Sequence, residues 1–362
     1  MCNAFNCDDD FTNLMLELTD VWDAEAVTDE VEQPGAVAQC MFNEHGMQGV
    51  SEITENGQCR AWKINWLQDC DYDGVSKVAD FSDTDCDFEA TPVGLECGEE
   101  EYERNCFMKD KGRSFTDQAC TSKYMGVNFA ANRIMSGIKA MRKAIATDAL
   151  AFYTANAEAI SWTGTYGNVV GNQLQFTSAE FNMNLLYHLT NIARHEKCTN
   201  YKLIDDTNFF ELYLQSMDGQ CCKDGSARNA FSRYNLSFDT WLDEALGRRS
   251  TLMFNPNNFG FINTNRAVSS TPTQTLMDGQ NSVWEWYVDD PEWTIADIDN
   301  EGRRTIRPVR YDVEYSKTCC GKDKLGKRLY KHVFVVSFMG GRWVSPTGCN
   351  DSRCIYEIVN IG

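Results

Sequence analysis

Basic residues are missing from the start of this chain: no lysine or arginine precedes Arg60. Histidine is scarce, with four in 362 residues, and proline numbers seven. No apolar run approaches the roughly 18 residues of a membrane span, so no membrane partner is expected. Residues 1–8 carry neither a basic n-region nor an apolar h-region, so a secretory signal is not expected. With Met1 as the true start, the expectation is a protein made and kept in a cytosol. No P-loop, G-x-G-x-x-G, H-E-x-x-H or G-x-S-x-G pattern occurs. Nor does any set of nucleophile, base and orienter suggest itself, so an enzyme is not expected.

Acid and cysteine are plentiful. The formal net charge is -20, and of 53 acids and 33 bases, 28 and 7 lie in residues 1–120. The rest of the chain is close to neutral. Such an acidic portion argues against simple non-specific DNA binding and keeps a concentrated protein in solution. Sixteen cysteines are many for a cytosolic chain. They show no C-x-x-C and no zinc-ribbon spacing, and two pairs are vicinal, Cys221-Cys222 and Cys319-Cys320. A reducing compartment favours thiols packed as small hydrophobes, and release from a cell would allow cross-links.

Periodicity predicts a mixture of helices and strands. Residues 1–50 read as an acidic arm with a short helix over 11–21. Residues 58–70 alternate as a strand, and a second candidate strand covers 94–108. The aspartate-rich stretch between them makes the pair an extended hairpin. A helix of five or more turns is predicted over 117–156, with Ile134, Ile138, Met141, Ile145, Ala149 and Phe152 on one stripe. Thr177-Ser178-Ala179-Glu180 is a capping box opening a helix through Phe181, Leu185, Leu189 and Ile192. Further on, strands are predicted at 201–204 and 251–254 and helices at 207–215 and 238–246. Residues 257–282 read as loop. Three strands close the chain, at 309–315, 330–338 and 355–359. There is no internal repeat, and the fold class is α+β.

Four groups of residues carry candidate chemistry. Asp69, Asp71, Asp73 and Asp80, with Gly74 at the sixth position, have the spacing of a calcium loop. The alternative is a solvated acidic hairpin tip, since Asp80 replaces the usual Glu and Ser76 stands where an apolar residue is usual. Arg133, Lys139, Arg142 and Lys143 lie off the helix stripe, as a solvated face or a face turned to packaged DNA. Lys322, Lys324, Lys327, Arg328 and Lys331 form a basic turn between two strands, a candidate contact between subunits. His188, His195 and Cys198 lie near one another on a predicted helix, as satisfied side chains or a metal set.

Several stretches are similar to those of phage capsid proteins: Lys63-Ile64-Asn65-Trp66-Leu67 before the acidic loop, Phe254-Asn255-Pro256-Asn257-Asn258-Phe259-Gly260-Phe261, Tyr311-Asp312-Val313-Glu314-Tyr315, and Val344-Ser345-Pro346-Thr347-Gly348-Cys349. Together with the element order, they make residues 58–362 resemble the major capsid proteins of tailed double-stranded DNA bacteriophages, the Hong Kong 97-type family. The resemblance implies an N-arm (1–57), an E-loop hairpin (58–108), a peripheral domain with a long spine helix (109–176, helix about 117–156), an axial domain (177–304) and returning peripheral strands (305–362). It also implies hexamers and pentamers closing an icosahedral shell in the host cytoplasm. The partners would be portal, scaffold or decoration proteins and the packaged DNA. No resident cofactor is implied, with calcium at the acidic loop as the one candidate. Another virion component, such as a decoration or tail protein, or a cysteine-rich calcium-binding module, are the alternative readings.

Overall fold

A computed structural model describes residues 12–19, 34–44, 47–55, 58–67, 97–103, 113–121, 127–161, 167–196, 198, 200–218, 234–262, 270–278, 281–298, 303–322, 328–338, 342–345 and 354–362. The architecture is mixed α and β with several sheets.

Helix α1 covers residues 12–19 and α2 covers Ala36–Asn43. Strands β1 (Met47–Glu55), β2 (Gln58–Leu67) and β3 (Cys97–Glu103) form an antiparallel three-stranded sheet in chain order. The expected hairpin of two strands around the acidic stretch is therefore present in the backbone, as β2 and β3. The added strand β1 has only weak alternation, which is why pattern reading passes over it.

The long helix α3 spans Val127–Asn156, 30 residues and about 45 Å. It starts later than the sequence suggests. Residues 113–121 form β4 instead, paired antiparallel with β14 (Arg328–Phe338). Helical apolar spacing begins only beyond Gly126, so residues 117–121 have no stripe to bury and complete a sheet edge. The sheet they join has the order β11-β12-β13-β14-β4, with β11 at Thr273–Asp278, β12 at Asn281–Ile298 and β13 at Arg304–Lys322. Trp284, Trp286, Val288, Tyr311, Val313, Tyr315, Phe334 and Val336 alternate inward from it and pack with α1, α2 and the apolar face of α3 into one core. A minor pair, β10 (Gly260–Ile262) and β15 (Arg342–Val344), brings Phe261 and Trp343 against Phe42 of α2.

The second sheet has six strands in the order β5-β6-β16-β9-β7-β8. They are Asn168–Val170, Gln173–Phe176, Ile355–Asn360, Ser250–Phe254, Lys202–Asp205 and Leu236–Phe238 respectively. The strand predicted at 355–359 and grouped with 305–354 by sequence thus pairs with β6 and β9, between residues far earlier in the chain. Its neighbours explain the apolar runs. Ile204, Leu252, Phe254 and Ile355 face the first core, while Leu203, Met253, Tyr356 and Ile358 face the second. Strands covered on both faces lose the polar half of the alternation.

Helices α4 (Met183–His195) and α5 (Phe210–Asp218) cover the far face of this sheet, and α6 is Leu242–Leu246. The capping box at Thr177 and Glu180 forms, with Thr177 N–H donating to Glu180 Oε2 at 2.7 Å. It caps a single 3-10 turn, however, and α4 begins after it with Asn182 accepting from the Asn184 N–H. Leu185, Leu186, Leu189 and Ile192 then bury the helix face.

Candidate functional site

The best-built polar cluster lies where α3 crosses the five-stranded sheet. Between β12 residues 289 and 294 the register shifts, and Asp290 folds inward. Its Oδ1 accepts from the N–H groups of Glu292 and Trp293, both at 2.9 Å, the local turn that Asp makes with its own backbone. Its Oδ2 accepts from Arg142 Nε and from the Tyr311 hydroxyl, each at 2.8 Å. Arg142 reaches Glu292 with a second nitrogen. Burial opposes the Arg142 charge, but Asp290 outweighs it and holds the guanidinium above its ordinary pKa. Burial likewise raises the Tyr311 hydroxyl far above its usual range, so it remains a donor.

This geometry corrects the reading of the basic helix. Arg142 is 8% exposed and does not belong to a face turned outward. It sits four residues after Ile138 and three before Ile145, on the buried stripe itself. Lys143 is exposed and donates to Glu244 of α6 at 2.7 Å. Lys139 is exposed and Arg133 half-buried on the same helix. The four bases therefore do not form one surface.

A second tie holds the end of α3 to the six-stranded sheet. The Tyr153 hydroxyl lies 2.7 Å from the carbonyl oxygen of Tyr356 and 3.1 Å from that of Met253, one in β16 and one in β9. Phe254 and Phe259 pack on its ring. A third tie secures α2. Asp239 is buried and accepts from the N–H groups of Gly35 and Val37 at 2.9 and 3.1 Å, satisfying donors that the helix start leaves unpaired. In the six-stranded sheet, buried Glu357 accepts from Arg248 Nε, at 2.7 Å, and from the Ser250 hydroxyl, at 2.9 Å.

The remaining sequence candidates are placed as follows. Asp69, Asp71, Asp73 and Asp80 lie outside the described residues, as do Lys324 and Lys327. Lys322 and Arg328 are register partners closing the β13–β14 hairpin, and Lys331 pairs with Thr318 in the same ladder. Lys322 and Arg328 thus end the two strands, and residues 323–327 between them lie outside the described residues. Cys198 is bonded to Cys354, so it cannot act as a thiolate ligand beside His188 and His195. Of the two states expected for the cysteines, thiol and cross-link, this pair is in the second. Cys40 is a free cysteine whose thiol burial pushes up to about 12. Among the described residues, no three His, Cys, Asp or Glu side chains converge on a possible metal position. No helix among them is long and apolar enough to cross a membrane.

Sequence reasoning missed Asp290, Asp239 and Glu357. Asp289-Asp290-Pro291 carries the signal for the first, because it interrupts the alternation of 283–288 with turn residues. Glu357 has no local signal, since its nearest partner in the chain is 107 residues away. Asp239 has a local bond from the Trp241 N–H, but the partners that tie it to α2 are 204 and 202 residues away.

No family model matches the chain, and no curated protein matches it. Among solved structures it is similar to a chain of the satellite phage P4 procapsid including the size determination (Sid) protein. The identity is 9%, the TM-score 0.27, and the match covers 97% of this chain and 91% of that one. At that TM-score the likeness carries no argument about fold or role.

Proposed function

We propose that this chain is a structural subunit of a bacteriophage virion, a major capsid protein of the Hong Kong 97 type that self-assembles into hexamers and pentamers of an icosahedral shell. The reading contains no catalytic step and no resident cofactor. The observation that carries it is the order of the elements: a short helical lead-in, an extended antiparallel hairpin, one 30-residue helix braced on a five-stranded sheet, a separate six-stranded lobe, and a return of the chain through both sheets. On this reading the hairpin would serve as the E-loop and the 30-residue helix as the spine of the family the sequence resembles. The buried ties of α3 suit a subunit that must transmit load through a stiff helix. Arg142, Tyr153 and the α3 apolar face fix that helix to both sheets.

On this reading, the acidic residues 1–120 make the hairpin a partner for basic surfaces of neighbouring copies, the β13–β14 connection among them. Portal, scaffold and decoration proteins of the same phage would complete the particle around its DNA. The test is negative-stain electron microscopy with sedimentation of the purified chain, expressed alone and with genes that neighbour its own. Rings or closed shells are expected. A small monomer under every condition would overturn the capsid reading and move attention to a decoration role.

A further inference from the structure

Two cysteines 156 residues apart meet in the second core. Cys198 follows the end of α4, and Cys354 immediately precedes β16. Their Cα atoms are 5.6 Å apart, within the range a disulfide spans, and both residues are buried. We propose that Cys198 and Cys354 are a site of oxidative closure: a dithiol while the chain folds in a reducing compartment, then a disulfide that locks β16 into the six-stranded sheet.

The placement of each thiol does not depend on the bond. Asn255 N–H donates to the Cys354 carbonyl at 3.1 Å, and Glu158 N–H to that of Ile355 at 2.8 Å. Strand β16 is hydrogen-bonded on both sides, to β6 and β9. Cys198 N–H donates to the Ala193 carbonyl at 2.7 Å, which sets it at the helix end. Beside the pair, Glu196 accepts from both the backbone and the hydroxyl of Ser161. The reduced chain can therefore reach the same fold, and the native fold itself brings the sulfurs together. Cys40, by contrast, is a free thiol in contact with Lys202 and not with a second sulfur.

The chemistry balances as thiol–disulfide exchange with a small-molecule disulfide such as oxidised glutathione. One protein thiolate attacks that disulfide and releases one small thiolate. The second protein thiolate then attacks the mixed disulfide and releases the other. The two protein sulfurs are oxidised, the small disulfide is reduced to two thiols, and the protons of the two cysteines pass to them. Closure needs a transient opening of the buried pair. Once closed, the same burial shields the bond from reductant. The cross-link closes a long loop, and long loops gain most from closure in the chain-entropy description.

The test uses the full chain produced in a reducing bacterial cytosol. Thiols are alkylated at lysis, and disulfide-linked peptides are mapped by mass spectrometry before and after incubation of unalkylated protein with oxidised glutathione. The expected result is no Cys198–Cys354 peptide at lysis and a linked peptide, 2 Da lighter than the two thiol peptides, afterwards. Thermal unfolding should shift up by roughly 5–10 °C on closure. The shift should vanish in Cys198→Ser and, separately, in Cys354→Ser. A linked peptide already present at lysis would overturn the order of events. No linked peptide after oxidation, or a shift that persists in both serine variants, would overturn the site.

Discussion

The two cores of this molecule join distant segments by different means. In the first, helix α3 is fixed to the five-stranded sheet through a buried ion cluster, Arg142 with Asp290 and Glu292, closed by the Tyr311 hydroxyl. In the second, the last strand is inserted between β6 and β9, and a disulfide fastens its entry. The difference is in what each can tolerate. A buried ion pair depends on both partners, because removing one strands the other in a medium that cannot solvate it. A strand inserted in mid-sheet depends first on backbone register, and its side chains matter less singly. The first core should therefore respond sharply to single charge changes, and the second to chain conformation and to titration of its own buried carboxyl groups.

The largest expected effect tests the first half of that contrast. Arg142→Met should lower stability by about 3–5 kcal/mol, the usual result of breaking a buried pair on one side. The measurement is a denaturant titration compared with wild type. Asp290→Asn keeps an acceptor for the N–H groups of Glu292 and Trp293 while removing the charge. The double variant Arg142→Met/Asp290→Asn should accordingly lose less than the two single changes added together. A loss below about 1 kcal/mol for Arg142→Met would mean the cluster is solvent-screened and the contrast is wrong.

A pair of glycine substitutions compares the two regions directly. Gly35 has φ +75, and a Cβ there would come within 2.4 Å of the Trp293 ring of the first core. Gly171, in the β5–β6 turn of the six-stranded sheet, has φ +61 with nothing within 4 Å of the same added atom. Gly171→Ala should cost only the left-handed backbone penalty, about 1 kcal/mol. Gly35→Ala adds displacement of a buried indole and should cost about 2–4 kcal/mol. Equal losses in unfolding experiments would show that α2 gives way without disturbing the core beneath it.

What the sequence revealed follows the same division. Helix α3 was legible beyond residue 126 because its stripe of Ile134, Ile138, Met141, Ile145 and Ala149 repeats over many turns. The β13–β14 hairpin was legible because apolar alternation and basic turn residues coincide. Arg142 was misread because charge was allowed to decide its side of the helix, although Ile138 and Ile145 place it on the stripe. Strand β12, 18 residues long, escaped because Asp289-Asp290-Pro291 reads as a turn and the strand survives that break only by shifting register. The position of β16 was not legible at all. Nothing local says that residues 355–360 pair with residues 173–176 and 250–254, since that choice is made by the two cores that the strand separates. The same applies to Glu357, whose arginine and serine partners come from before β9 and at its start.

The last effect is read through pH and belongs to Asp205 in β7, whose carboxyl accepts from the backbone of Phe209 in the second core. Asp205 is fully buried and accepts from the Phe209 N–H at 2.7 Å and the Thr251 hydroxyl at 2.6 Å. Burial raises its carboxyl to about 7, against the pull of those two hydrogen bonds, from an ordinary value of 3.8. The folded chain therefore holds a proton that the unfolded chain has released between about pH 4 and pH 7. By linkage, the contribution of Asp205 is fully present below pH 4 and is lost as pH rises towards 7, with a slope of at most about 1.4 kcal/mol per pH unit. Asp205→Asn keeps an acceptor oxygen and cannot ionise. At about pH 4, where the wild-type carboxyl is also neutral in the folded chain, its stability should lie within about 1 kcal/mol of wild type, the scale of one net hydrogen bond. The difference should appear as pH rises towards 7, where wild type loses stability relative to the variant. Hydrogen exchange of amides in β7, β9 and β16, followed from pH 5 to 7 with intrinsic rates divided out, reads this region separately from the first core. Parallel pH dependence in wild type and variant would mean that Asp205 stays ionised, and that its two hydrogen bonds outweigh its burial.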